Sequence, residues 1–439
     1  MNYDETIDYL YKQLPMFERQ GSAGYKPGLG TSMALDDTFG NPHRHYKCIH
    51  VAGTNGKGSV SHLLATTLQQ AGYKVGLYTS PHIVDFRERI RVDGNMIPRE
   101  AVVDFMQRYF DSHFQGRPSF FELTSTMAFD YFRQCKVDLA VIEVGLGGRL
   151  DSTNIINPVL SVITNISLDH TQFLGDTLAQ IAGEKAGIIK HGTPVVVGEA
   201  EGEVRKVFQD KARNMQAPIT FAQDHPIVTA GHSNDGQLQL DTAMGPITDE
   251  LGGMYQVRNA NTVLHCIEAL RQQGFDISDE ATRWAFGHVE ELSGLIGRWQ
   301  TLQHKPKVVC DSGHNLGAFG YIVEQLHQEH YHHLHMVLGF MHDKDIDDIL
   351  DMLPREATYY YCNAQSPRAL PAQALKEKAA AHQLAGNSYP TAQAAYKAAL
   401  RLCRRQHVCA GRNSGPGQSP IAAGQQQPQE STHIKSSRR

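Results

Sequence analysis

Residues 46–52 (YKCIHVA) form a short, mostly apolar run that opens into GTNGKGS at 53–59. A helical stripe follows over 60–70, Gly72 stops it, and 74–79 is strand-like again. Strand, glycine-rich turn, helix, strand is the order of a βαβ unit, which demands a parallel sheet. Buried-type strands recur at 137–144 (VDLAVIEV) and 158–165 (PVLSVITN), and a helical stripe over 177–188 precedes a strand at 194–198. Between 220 and 246, turn residues separate short alternating segments, which predicts an antiparallel insertion.

A second α/β block begins near Gly297. Strands are expected at 307–310, 335–340 and 358–361, with helices over 318–328, 371–383 and 391–402. An alternating fold should add a strand after the last helix. The chain instead runs RRQHVCAGRNSGPG. The expected architecture is α/β: a P-loop, parallel-sheet ATP-binding domain over 1–295 and a smaller α/β domain over 296–403, its final strand missing. Residues 404–439, rich in Gly, Ser, Pro and Gln, read as a disordered basic tail.

Charge sharpens that division. The 439 residues carry −5, but the tail holds six basic residues against Glu430, so residues 1–403 carry −10. An acidic body argues against broad nucleic-acid binding. The start, MNYDETIDYLYKQL, lacks the basic-then-apolar order of a secretory signal. No apolar run approaches the ~20 residues of a membrane span. Seven scattered cysteines, an odd number without a CxxC pair, fit reduced thiols and a cytoplasmic location.

The 53–59 loop is the strongest chemical signal. Backbone N–H groups in a glycine-rich turn at a helix N-terminus cradle phosphates. Lys57 adds a point charge and Ser59 a hydroxyl for phosphate or magnesium, although Gly58 separates them, unlike the ordinary P-loop string. Glu143 ends an apolar strand beside that edge of the sheet, where a Mg-ATP enzyme needs an oxygen ligand. The GLGG after it lacks the spacing of a dinucleotide fingerprint. Taken alone, His170 reads as an ordinary histidine and Lys185 as a solvated helix lysine paired with Glu184. Asp311, His314 and Asn315 form the best polar cluster of the second block. The run HQEHYHHLH at 327–335 fits a loop entering a strand better than a metal site.

Long strings in one order resemble the folylpolyglutamate synthase/dihydrofolate synthase family, within the Mur ligase group. They are HVAGTNGKGS (50–59), YTSPH (78–82), ERIRVDG (88–94), VIEVGLGGRLDSTN (141–154), ITNISLDHTQFLG (163–175) and IAGEKAGIIK (181–190). QVRNANTVL (256–264), Arg298, DSGHN (311–315) and GFMHDKD (339–345) continue the match, which ends near Leu402.

The resemblance implies an ATP-dependent amide ligase that adds L-glutamate to dihydropteroate, to (poly)glutamyl tetrahydrofolate, or to both. It places Thr54, Asn55, Gly56, Lys57, Gly58 and Ser59 on ATP phosphates, and Asn259, Arg298 and Asp311 on the nucleotide from both domains. Ser80, Glu143 and His170 would hold Mg²⁺, and Lys185, carbamylated, would ligate a second metal ion. A monovalent cation is also allowed. Phe121, Glu122, Leu150, Asp151 and Ser152 match the pterin region, and the loop at 25–29 covers it. Carbamylation needs a neutral amine, so Lys185 should be desolvated. Lys57, His170, Lys185 and Arg298 are the expected catalytic set, with Arg298 implying domain closure. A monomer without nucleic-acid or membrane partners is the default. Rival readings are a single-activity synthase, a related Mur-type ligase, a simple P-loop kinase, and a nucleotide-binding protein inactivated by its altered C-terminus. That ending is expected to be an altered or out-of-frame terminus.

Overall fold

The computed structural model describes residues 1–16, 28–234, 236–342, 346–364 and 366–409. The βαβ unit is present: β1 (Lys47–Ala52), helix α1 (Lys57–Gln70) and β2 (Val75–Tyr78) follow one another across the turn at 53–56. Two antiparallel edge strands come next, β3 (Ile90–Val92) and β4 (Asn95–Met96). Helix α2 (Phe120–Cys135) leads to β5 (Leu139–Glu143), then β6 (Leu160–Ile163). Helix α3 (Leu178–Lys185) precedes β7 (Val195–Val197) and β8 (Ile219–Phe221). These strands make one eight-stranded sheet in the order β4-β3-β2-β5-β1-β6-β7-β8.

The central strands are continuous apolar runs because both sheet faces are covered. β5 is buried at all five positions, and every residue of α1 from Gly58 to Leu68 is buried. Parallel register aligns their carboxyl ends: Val51 pairs with Glu143, Ile142 with Tyr78, and Ala52 with Ile163. The loops that begin at Gly53, Thr79, Val144 and Thr164 therefore leave from one edge. Strand order reverses around β1, where such sheets open a crevice for ligands.

The expected antiparallel insertion is β9 (Val228–Asn234), β10 (Gln237–Thr242) and β11 (Ile247–Asp249). Its apolar side packs on helix α4 (Gln256–Gln272): Leu238, Leu240 and Ile247 join the cluster that contains Val263 and Leu264.

After Arg298 the chain forms a hairpin, β12 (Gln300–His304) and β13 (Lys307–Cys310), then helix α5 (Leu316–Gln328). A three-stranded parallel sheet follows, of β14 (His335–Leu338), β15 (Thr358–Cys362) and β16 (Gly386–Tyr389). Two expectations change here. The strand at 307–310 pairs antiparallel with β12 instead of joining the parallel sheet. β16, with sequence GNSY, has no apolar alternation to announce it. The last helix, α6 (Ala392–Cys409), passes the expected end at Leu402, so residues 404–409 are helical and not tail. The rest of the basic tail, and the place of the missing strand, lie outside the described residues.

Candidate functional site

The phosphate loop is built by glycines that other side chains require. Gly53 has φ +144°, and a Cβ there would lie 1.8 Å from Thr164 Oγ1. Gly56, at φ +83°, would drive a Cβ to 2.2 Å from Asn259 Oδ1. Gly58, the residue that breaks the ordinary string, lies under Arg298, whose NH2 would be 3.2 Å from a Cβ. The β6 loop supports the turn: Thr54 N–H donates to Asn165 O and Asn55 N–H to Asn165 Oδ1, both at 2.9 Å. Lys57 Nζ donates to Gly53 O and Thr54 O at 3.1 Å. Ser59 is buried, and its hydroxyl accepts from Gln256 Nε2 at 3.1 Å.

Two cavities meet at this loop. One is lined by residues 54–59, Ser80, Glu143, Asn259, Arg298 and Asp311, together with Glu199, Tyr255, Arg258 and Tyr321. The larger one is lined by Phe121, Glu122, Leu150, Asp151, Ser152, Asp169, His170 and Lys185. Thr54, Lys57, Ser80, Pro81 and His314 line both. All the residues expected at the nucleotide thus share one cavity, and all those expected at the pterin share the other. The expected metal ligands divide: Glu143 faces the first cavity, His170 and Lys185 the second, and Ser80 both. Gly28 lines the larger cavity; the part of the expected cover loop at 25–27 lies outside the described residues.

Several of these groups are electrically stressed. Lys185 is 5% exposed and its Nζ donates to Gly53 O at 2.8 Å. Burial, with help from Lys57, pulls its pKa down to about 7, against the opposing pull of Asp169 and Asp151. Its pairing with Glu184 does not occur: Glu184 accepts from Arg149 NH2 at 2.8 Å instead. Burial pushes the Glu143 carboxyl above its ordinary range, although Lys57, the Ser80 N–H at 3.1 Å, Arg298 and Arg89 pull it back. A buried carboxylate this poorly compensated, at the edge of the phosphate loop, is an oxygen donor that a cation would stabilise. Among the described residues no cluster of three or more His, Cys, Asp or Glu side chains could hold a metal ion by itself.

Other expected residues have structural duties as well. Glu122 completes a capping box at the start of α2, accepting from Ser119 N–H at 2.7 Å. Asp151 ties down its loop, accepting from Leu146 N–H at 2.8 Å and Thr153 N–H at 3.0 Å. Ser152 Oγ lies 3.1 Å from Ser125 Oγ. Asp311 accepts from Trp299 N–H at 2.8 Å and from Tyr255 OH at 2.7 Å, the latter tying the second domain to the residue that precedes α4. Arg298 bonds Ser312 Oγ. His170 holds a left-handed backbone, φ +50°, which is unusual for a residue with a side chain.

Sequence reasoning missed the contact that joins the domains at the loop. Asn55 and Asn315 exchange side-chain amide bonds at 3.2 and 2.9 Å, and Asn315 Nδ2 also donates to Asp169 Oδ2 at 3.1 Å. Asn315 Oδ1 caps α5 by accepting from Ala318 N–H at 2.9 Å. The Asp169 carboxylate lies 3.7 Å from His314 Nε2 and 3.8 Å from His170 Nε2. Its place beside His170 in the string was the only hint. Losing a cap and three interdomain bonds should cost about 2–4 kcal/mol. Asn315→Ala is thus expected to lower the urea midpoint clearly, and an unchanged midpoint would refute the latch.

Two family models match the chain: the Mur ligase middle domain over residues 51–266 and the Mur ligase glutamate ligase domain over 297–410. The chain is therefore a Mur-type ligase in its fold and domain order. A dihydrofolate synthase/folylpolyglutamate synthase of Bacillus subtilis is 35% identical over 367 residues, 79% of this chain and 83% of that protein. A probable bifunctional folylpolyglutamate synthase/dihydropteroate synthase of Haloferax volcanii is 35% identical over 381 residues; the chain spans 44% of its length. The crystal structure of Mycobacterium tuberculosis folylpolyglutamate synthase complexed with ADP and AMPPCP superposes with a TM-score of 0.82 at 30% identity, over 93% of each chain. The chain belongs to the folylpolyglutamate synthase/dihydrofolate synthase family.

Proposed function

We propose that this protein uses ATP to join L-glutamate to dihydropteroate and to glutamyl tetrahydrofolate. One observation carries the reading: the cavity over the phosphate loop and a larger cavity that includes Phe120 and Phe121 share the wall formed by Thr54, Lys57 and Ser80. A carboxylate reaching through the second cavity arrives beside a γ-phosphate bound in the first.

The acceptor carboxylate oxygen attacks the γ-phosphorus as its bond to the β-bridging oxygen breaks, giving an acyl phosphate and ADP. The glutamate amine, having lost a proton, then attacks the acyl carbon. The carbon–oxygen bond to phosphate breaks and the nitrogen gives its extra proton to the departing phosphate, leaving an amide and inorganic phosphate. Both steps gather negative charge on oxygens, so Lys57 and Arg298 stabilise and align the reacting groups. Thr54 to Ser59 cradle phosphates, while Asn259 and Asp311 orient the nucleoside. Phe121, Glu122 and the loop carrying Leu150, Asp151 and Ser152 form the pterin wall. Ser80, Glu143, His170 and Lys185 would hold Mg²⁺, which neutralises phosphate charge when bound. The depressed pKa of Lys185 supports its carbamylation, since only the neutral amine adds CO₂. In this reading residues 1–295 bind ATP and pterin, residues 296–403 bring the glutamate side, and the enzyme works as a cytoplasmic monomer.

The test is direct. Protein, Mg-ATP and glutamate are incubated with either dihydropteroate or monoglutamyl tetrahydrofolate, and products are read by mass. A gain of one glutamyl residue on both acceptors is expected. A gain on one alone limits the enzyme to a single activity; a gain on neither, or ADP release independent of glutamate, defeats the ligase reading.

A further inference from the structure

The larger cavity is closed from the second domain by His314, Met341 and Arg368. Arg368 lies between β15 and the helix Ala372–Ala381, in a segment that no sequence motif singled out. Its backbone is pinned at three points. The Arg368 carbonyl accepts from His342 N–H at 2.8 Å and from His342 Nδ1 at 2.9 Å, and Arg368 N–H donates to Ser366 Oγ at 3.1 Å. Leu370 N–H donates to Phe340 O at 2.8 Å, and Met341 bridges Ala369 antiparallel. The loops after β14 and β15 therefore form one saddle at the carboxyl ends of a parallel sheet, where ligands are usually met.

Among the described residues lining this cavity, Arg368 is the one guanidinium. The two lysines there, Lys57 and Lys185, both donate to Gly53 O on the opposite, phosphate-loop wall. An amino acid that attacks an acyl phosphate at that wall must approach with its amine first and its carboxylates trailing toward the second domain. The planar fork of arginine matches a carboxylate with two parallel hydrogen bonds, which a lysine cannot reproduce.

We propose that Arg368 binds a carboxylate of the incoming glutamate and sets its position for attack. This assignment rests on the ligase reading above. Dihydropteroate is the informative acceptor, because it carries no glutamyl carboxylate of its own. With it, Arg368→Gln should raise KM for glutamate by about 10- to 100-fold. Arg368→Lys should fall between, with kcat and the KM values for ATP and acceptor close to wild type. ADP binding and thermal melting of the lysine variant check that it is folded.

An unchanged glutamate KM in a folded Arg368→Lys or Arg368→Gln protein overturns the proposal. So does a rise confined to the KM of monoglutamyl tetrahydrofolate, which would assign Arg368 to the acceptor's terminal carboxylate. Wild-type protein that forms no amide with either acceptor fails the ligase reading itself, a result separable from both.

Discussion

Replacing Lys185 by methionine is expected to abolish amide formation, with kcat down about 10³-fold, while making the folded protein more stable near neutral pH. The two effects have one cause. The amine is buried with Lys57 beside it, and its pKa falls from 10.5 to about 7. Between those values the unfolded chain binds the proton and the folded chain does not, so stability falls as pH drops from 10.5 to about 7 and stays low beneath. The full penalty is about 5 kcal/mol. Methionine fills similar space without a charge, at the loss of the bond to Gly53 O, which still accepts from Lys57. A net gain of about 2 kcal/mol at pH 6–7 should remain, shrinking toward pH 10. Denaturant melts of both proteins across that range measure it. Equal stability at every pH would show that the lysine is compensated in solution. Full activity in the variant would remove Lys185 from the chemistry altogether.

Lys57→Ala should be the second severe loss, for a less obvious reason than a missing contact. Lys57 lines both cavities, so in the proposed reaction its charge would act on phosphate and on acceptor carboxylate together. It also helps to depress the Lys185 pKa and to hold down that of Glu143. Removing it takes away a cation, makes Lys185 harder to deprotonate and Glu143 easier to protonate. Turnover should fall by about 10³-fold or more, with ADP binding weakened less. Single-turnover ADP formation and ADP titration separate these. The Lys57→Ala, Lys185→Met double variant should lose little beyond the worse single, since both remove parts of one electrostatic unit. Additive losses would contradict that coupling, and turnover within tenfold of wild type would contradict the role itself.

How much of this could be read from the chain depends on distance along it. The phosphate loop is legible because strand, turn and helix are consecutive, and Gly58 gives away an unusual neighbour without naming it. Arg298, some 240 residues away, explains it only when folded. Lys185 misleads because an eight-residue helix does not reveal which side faces the sheet. Local rules offered Glu184 as its partner, whereas the true environment is the underside of the phosphate loop. Asn315 caps its helix through a local contact, yet its bond to Asn55 exists only where two domains meet. Arg368 belongs to the same class. β16 escapes because four residues with no apolar alternation carry almost no signal before a neighbouring strand claims them.

The aligned strand ends carry a consequence for how such a chain can change in length. β5 is held on both sides by parallel neighbours, and Glu143 sits at its last position. One residue inserted or deleted within 139–143 would displace that carboxylate by about 3.3 Å or turn it to the other face of the sheet. No loop adjustment downstream could restore it. The β9–β11 insertion stands outside this lattice, pinned by side-chain packing on α4 and not by strand register with the site. Descendants of this sequence should therefore inherit the lengths of β1, β2, β5 and β6 almost without alteration, while the turn at 243–246 between β10 and β11 can lengthen and shorten without moving the site.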